Sequence, residues 1–344
     1  MIVVLGPGCS LRDKAAVVRL IEARGGRLLV SVVGDETHIG LIDAEAQALA
    51  ETIGAMPGVI EIRAVAPPYP HVSREHHPDT TEVRVGDVVI GGNEIVVMAG
   101  PCSVESAAQM RAVGTAVSAA GARMLRGGAF KPRSSPYSFQ GLGEEGLALL
   151  AQVGAETGLP VVTEVVAPED VGLVGRYADM LQVGARNMQN FRLLSAAGEQ
   201  ERPVLLKRGI SSTVEELLLA AEYVVSAGNS RVVLCERGIR TFETATRNTL
   251  DISAVPVLKQ RSHLPVIVDP SHAAGERSLV PDLARAAVAV GADGILVEVH
   301  DRPEAALSDG RQSLTIDGFS ETMDQLRGIA LAMGRRVAPA LVEP

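Results

Sequence analysis

Two sets of residues in this chain have the types and spacing to do chemistry. The first is Cys102, His272, Glu298 and Asp309. One thiol, one imidazole and two carboxylates make a mixed soft and hard donor set, suited to a divalent transition ion of the Mn, Fe, Co or Zn class more than to Mg or Ca. The second set is cationic: Arg126, Lys131 and Arg133, then Arg186, Lys207, Arg208 and Arg237. An arginine fork fits carboxylate or phosphate bidentately, and a lysine can also donate a proton. Each residue alone has a plainer reading. A cysteine at a strand end is ordinary core filler, Asp309-Gly310 is a common turn, and a lone cation pairs with a surface acid. Converging on one place, however, these cations would repel one another unless anions compensated them, so such a site should bind more than one anionic group. Residues 126–143, RGGAFKPRSSPYSFQGLG, concentrate the pattern. From Arg123 to Gly143 there are four cations and no acid, in a chain whose formal net charge is -9. Ser134 and Ser135 add hydroxyls there, and the glycines let backbone amides approach a phosphate.

Elements must carry these residues to one place. With 344 residues and 47% hydrophobic content, the chain can bury a large core, and a large domain with a small one is the expected division. Short apolar runs recur from about residue 94: EIVVMAG, ARMLRGG, PVVTEVV, MLQVGAR, PVLLKRG, RVVLCERG, PVIVDPSH and GILVEVH, at intervals averaging about 28 residues. Each interval holds one helical stretch. Eight apolar strands with helical crossovers predict a (β/α)8 TIM barrel over residues 81–344. The polar residues that follow each run then stand at the carboxyl ends of the strands, where barrel enzymes place their chemistry. Closure brings strand eight beside strand one, so Cys102 becomes a neighbour of Glu298. A doubly wound sheet is the competing fold. Its GxGxxG signature is met only at Gly141 to Gly146, after a Ser/Pro-rich loop instead of a strand, which reads as helix-entry glycine.

Residues 1–66 alternate as β-α-β-β-α-β, the pattern of a ferredoxin-like domain. A linker over 67–80 follows, where PPYPHVSREHHPDT breaks both periodicities with four prolines and three histidines. His71, His76 and His77 there are expected to be solvated, without cysteine or carboxylate partners at metal-ligand spacing. The acidic balance, with no basic run, argues against nucleic acid. No apolar run approaches the roughly 20 residues that span a bilayer, and no leader pattern opens the chain. Three scattered cysteines agree with a reducing compartment. The expected location is cytoplasmic.

MAGPCSVES, RGGAFKPRSSPYSFQGLGEEGL, QVGARNMQNFRLL, PVLLKRG, LCERGIRTFE, TRNTLDISAVP, VDPSHAAG and LVEVHDRPEAALSDGRQSL together resemble 3-deoxy-D-arabino-heptulosonate 7-phosphate (DAHP) synthase, over roughly residues 95–335. The N-terminal domain is similar to the ferredoxin-like regulatory extension of one branch of that family. The resemblance implies an aldol-type condensation of phosphoenolpyruvate with erythrose 4-phosphate, the entry to the shikimate pathway. It also implies a role for each residue. Arg126, Arg186, Lys207 and Arg237 would clamp phosphoenolpyruvate, and Arg133, Ser134 and Ser135 would hold the aldose phosphate. Lys131 would lie near the aldehyde oxygen, and Glu164 would contact the water that attacks C2. Cys102, His272, Glu298 and Asp309 would hold the metal. Feedback by tyrosine or phenylalanine through the N-terminal domain, and assembly as a homotetramer, complete the expectation. One departure stands out: the family's Lys-Pro-Arg-Thr reads Lys131-Pro132-Arg133-Ser134 here, which keeps the hydroxyl and loses a methyl.

The nearest rival is 3-deoxy-D-manno-octulosonate 8-phosphate synthase, which acts on arabinose 5-phosphate. Its loop typically reads Lys-Ala-Asn-Arg-Ser, one residue longer than the loop here. A catalytically silent amino-acid sensor, or a scaffold for a chorismate mutase, would predict damaged ligands. All four metal candidates and Lys131 are present.

Overall fold

The computed structural model describes residues 1–41, 49–63, 68–131 and 137–340. These fall into two compact units, Met1–Thr80 with Gln260–His263, and Thr81–Lys259 with Leu264–Pro344.

In the first unit, β1 (Ile2–Leu5), β2 (Leu28–Val33), β3 (Glu36–Leu41) and β4 (Val59–Arg63) form an antiparallel sheet in the order β2-β3-β1-β4. That order fits a small ferredoxin-like domain. Helix Leu11–Ala23 starts where Ser10 accepts the Asp13 N–H at 3.1 Å, and it buries Val17 and Ile21 with Val3, Leu5 and Ile39 of the sheet. Of the expected second helix only Ala50–Gly54 is described, and residues 42–48 lie outside the described residues.

The other sheet face carries Ile2, Val4 and His38, all buried. Here the linker departs from expectation. His71 and His76 are not solvated: they are 5% and 0% exposed, and the His76 ring packs on Gly40 of β3. The physical reason is that a sheet must cover both apolar faces. Tyr69 and Val72 supply buried apolar surface, and the histidines are carried in with them.

In the second unit, eight parallel strands close into a barrel: β7 (Val96–Gly100), β8 (Met124–Arg126), β9 (Val161–Val165), β10 (Met180–Val183), β11 (Val204–Lys207), β12 (Val232–Glu236), β13 (Val266–Val268) and β14 (Gly294–Glu298). Their starts follow the eight apolar runs. Closure is made by β14 on β7, in a register that sets Gly294 against Val96 and Glu298 against Gly100. Val96, Met98, Met124, Val162, Met180, Leu205, Val233, Ile267 and Leu296 fill the interior. The preceding hairpin, β5 (Val83–Val85) and β6 (Val88–Ile90), adds its four valine and isoleucine ends to that cluster. Gly143 is the N-cap of helix Glu144–Thr157, so the glycine-rich run is a helix entry, as its sequence setting indicates.

Candidate active site

The register of β14 on β7 decides the first feature of the barrel mouth. Cys102 follows β7 by two residues and Glu298 ends β14, so the two side chains meet across the closing seam. Asp309 joins them from the loop beyond. Donor atoms of Cys102, Glu298 and Asp309 lie within 4.8 Å of one another, and among the described residues this is the group able to share one metal ion. Asp309 has a φ of 50°, the sole positive φ among described non-glycine residues, a strained setting of the kind found at functional sites. His272, on the short helix Pro270–Ala274 after β13, stands at the edge of the group. Its Nε2 is 3.5 Å from Glu298 Oε1, but the ring is outside the circle that the other three share.

The electrostatics fit a cation. Burial, reinforced by Glu298, pushes the Cys102 thiol up to about 12, so the thiolate needs a strong positive charge at hand. A bound divalent ion is such a charge. Burial works to raise both carboxylates as well. It is outweighed by His272 and Arg126 at Glu298, and by Arg247 and His272 at Asp309, so both stay below their ordinary values and ionised.

Cations meet this donor set directly. Lys131 Nζ donates to the Cys102 carbonyl at 2.9 Å and lies 3.1 Å from its Sγ. Glycine at 128 makes that approach possible, because a Cβ there would sit 2.8 Å from both the Cys102 carbonyl oxygen and Lys131 Cδ. Arg126 donates through one Nη1 to the Pro101 carbonyl at 2.6 Å and to Glu298 at 3.1 Å. Beyond them opens a cleft lined by Arg126, Lys131, Arg186, Lys207, Arg237, Arg240 and Arg247, with Glu164, Gln182, Asn248, His272 and Asp309. Cations far outnumber acids there, which is the composition of an anion site. Lys207 and Arg237 are 3% and 5% exposed. Burial lowers the Arg237 guanidinium from its usual value. Glu164, on β9, reaches the cleft over Gly184, where a Cβ would fall on its Oε1.

The structure brings together Cys102, Glu298, Asp309, His272, Lys131, Arg126, Glu164, Arg186, Lys207 and Arg237. Arg133, Ser134 and Ser135 lie outside the described residues. Arg208 does not join the cleft lining. Its guanidinium pairs with Glu236 and Asp251, both at 2.8 Å, and donates to the Ser212 carbonyl. Four contributors were not singled out from sequence. Arg240 and Arg247 follow β12 inside the quoted motifs and carry the same signal as the other cations. Asp269 and Gln312 carry none of their own. Gln312 donates to Glu298 Oε2 at 2.6 Å and accepts from Arg247 at 2.8 Å, while Arg247 also pairs with Asp309 at 3.2 Å.

A closed parallel barrel whose carboxyl-end mouth sets thiol, imidazole and carboxylate donors beside an excess of cations defines an enzyme of anionic substrates with a place for a metal ion. Residues 71–332 match the model of the DAHP synthetase I family, and the chain belongs to that family. A phospho-2-dehydro-3-deoxyheptonate aldolase of Thermotoga maritima is 50% identical over 98% of this chain and 100% of its own length. The crystal structure of that Thermotoga maritima DAHP synthase covers 98% of both chains with a TM-score of 0.79. A truncated form of the Thermotoga enzyme matches 78% of this chain and 99% of its own, with a TM-score of 0.74 and 51% identity. More distant is a 2-dehydro-3-deoxyphosphooctonate aldolase of Syntrophotalea carbinolica, 33% identical over 73% of this chain and 96% of its own.

Proposed function

We propose that this chain condenses phosphoenolpyruvate with D-erythrose 4-phosphate and water to give DAHP and phosphate. The observation that carries the reading is the meeting of Lys131 with Cys102, at the point where the donor set borders the cationic cleft. Family membership and the full-length Thermotoga relative support it. Arg126, Arg186, Lys207 and Arg237 hold the phosphate and carboxylate of phosphoenolpyruvate, fixing the face its C3 presents. Arg133, Ser134 and Ser135 take the aldose phosphate. Attack of C3 on the aldehyde carbon leaves an alkoxide, and Lys131 Nζ gives it a proton. Water then adds at C2, with Glu164 in contact, and phosphate leaves by C–O cleavage. Cys102, Glu298 and Asp309, with His272 at their edge, would hold a divalent ion of the Mn, Fe, Co or Zn class, which would supply Lewis acidity toward the aldehyde.

The competing aldose is arabinose 5-phosphate. The 50% relative over the whole chain, against 33% over 73% for the octonate enzyme, favours the four-carbon substrate. Phosphoenolpyruvate consumption measured with each aldose tests this, and a preference for arabinose 5-phosphate would reverse the assignment.

The N-terminal domain holds none of these residues, which supports a regulatory part for it, with tyrosine or phenylalanine as effector. Coupling of about 1 to 3 kcal/mol would come from different effector affinities for two arrangements. Inhibition of the intact chain that disappears when residues 1–66 are deleted is the expected result. Inhibition that survives the deletion refutes it. A cytoplasmic homotetramer is the proposed setting. Three free thiols fit the location, as does the finding that no described helix is long and apolar enough to cross a membrane. Light scattering reads the assembly.

A further inference from the structure

Asp269 follows β13 and is wholly buried beneath the mouth. Its Oδ2 lies 2.6 Å from Lys207 Nζ and 2.7 Å from His272 Nδ1, while Oδ1 accepts the His272 backbone N–H at 2.9 Å. One carboxylate therefore touches both a member of the cationic clamp and the imidazole of the donor set. The contact to Nδ1 is short, although it falls outside hydrogen-bond geometry.

The imidazole of His272 stands between two carboxylates that compete for its single neutral-state proton. Asp269 is 2.7 Å from Nδ1, and Glu298 is 3.5 Å from Nε2. Asp269 is the nearer of the two. A proton on Nδ1 leaves the Nε2 lone pair free on the side of Glu298, whereas a proton on Nε2 would close that nitrogen to a metal ion. Lys207 depends on the same group. An ammonium that is 3% exposed is costly without a counter-charge, and Asp269 holds it at the cleft wall.

We propose that Asp269 is a positioning residue that serves both halves of the site, fixing the tautomer of His272 for metal binding and the ammonium of Lys207 for the phosphoenolpyruvate anion. The inference rests on the function proposed above. It makes the metal and phosphoenolpyruvate affinities depend on one residue that contacts neither ligand.

The test is Asp269→Asn in the full chain, with no aldose present, so that turnover plays no part. Calorimetry with cobalt(II) is expected to show about a 10- to 100-fold loss of affinity, the usual effect of removing the carboxylate behind a ligating histidine. Phosphoenolpyruvate binding to the metal-free variant should weaken as well. Nitrogen-15 spectra of the imidazole should place the His272 proton on Nδ1 in the native chain and on Nε2 in the variant, a change that a merely structural role would not produce. Asp269→Glu, which keeps the charge, should restore the Nδ1 tautomer. Unchanged cobalt and phosphoenolpyruvate affinities in Asp269→Asn, or a native proton on Nε2, would overturn the inference alone. A native chain that binds neither cobalt nor phosphoenolpyruvate would overturn the proposed function as well.

If Asp269→Asn does not fold, Lys207→Gln and Arg186→Gln replace it. Each removes one positive charge from the cleft, but only the first frees Asp269 to act on His272 undivided. Cobalt should then bind Lys207→Gln at least about threefold more tightly than Arg186→Gln. Equal affinities would overturn the shared-carboxylate reading.

Discussion

Arg126, Lys207, Asp269 and Glu298 at the barrel mouth are all 4% exposed or less, and each carries charge against a partner of opposite sign. His76 and His263 in the N-terminal unit are also buried, at 0% and 5% exposed, and are held neutral. Burial, with neighbouring imidazoles, lowers both to about 4, although a 2.8 Å contact to the His71 carbonyl works the other way at His263. The barrel mouth keeps expensive charges in a dry place, each matched and some left facing an anion cleft. The histidine cluster avoids the expense by discharging. Buried charge that faces a cleft points to a task, whereas buried polarity that is neutralised points to packing.

Breaking the first region should give the largest effect. Lys131→Met removes the proposed proton donor, and turnover should fall by about 10² to 10⁴ with smaller changes in the Michaelis constants. If only the Michaelis constants move, Lys131 binds and does not donate. Gly184→Ala acts on the same region from behind. The added methyl must displace the Glu164 carboxylate, and a shift of about 1 Å in a reacting group costs on the order of 10² in rate. Native turnover in that variant would detach Glu164 from the chemistry.

The second region should answer to acid. His76 and His263 have folded-state values below their unfolded value of 6.5, so the unfolded chain takes up protons first as pH falls. Their contribution is fully present above pH 6.5 and is lost progressively towards pH 4, by up to about 3 kcal/mol for each ring. Urea unfolding of the N-terminal unit at pH 7.5 and at pH 4.5 measures this. His76→Phe should flatten the difference, and an unchanged slope would mean that the ring is not the acid-sensitive group. The smallest effect is a control in neither region. Thr213 and Glu216 form a reciprocal cap on helix Val214–Ser226, and Thr213→Ala should cost about 1 kcal/mol with turnover untouched.

The barrel was legible because eight buried parallel strands are continuous apolar runs, and its site because ionisable residues follow those runs at one end. Cys102 and Glu298 are neighbours only through closure, yet closure follows from the count of eight. What escaped was orientation. Arg208 reads as one more cation of the mouth, but it turns to Glu236 of the next strand and to Asp251. Asp269 looks like the helix N-cap it also is, accepting the His272 N–H, and nothing in VDPSH tells that its second oxygen meets Lys207, 62 positions away. The burial of the histidines at 71 and 76 is not legible in the sequence, because a segment without periodicity has no face. Their burial is set by the sheet they cover.

The most direct test of the central claim, that the charged cluster at the mouth holds a metal ion and condenses phosphoenolpyruvate with erythrose 4-phosphate, is one assay. Phosphoenolpyruvate consumption with erythrose 4-phosphate is followed in native chain and in Cys102→Ala, with excess chelator and after divalent ion is restored. The account predicts turnover in the native chain that chelator abolishes and the metal ion restores, and a Cys102→Ala chain that the same ion does not rescue. Full activity of Cys102→Ala in excess chelator would contradict it.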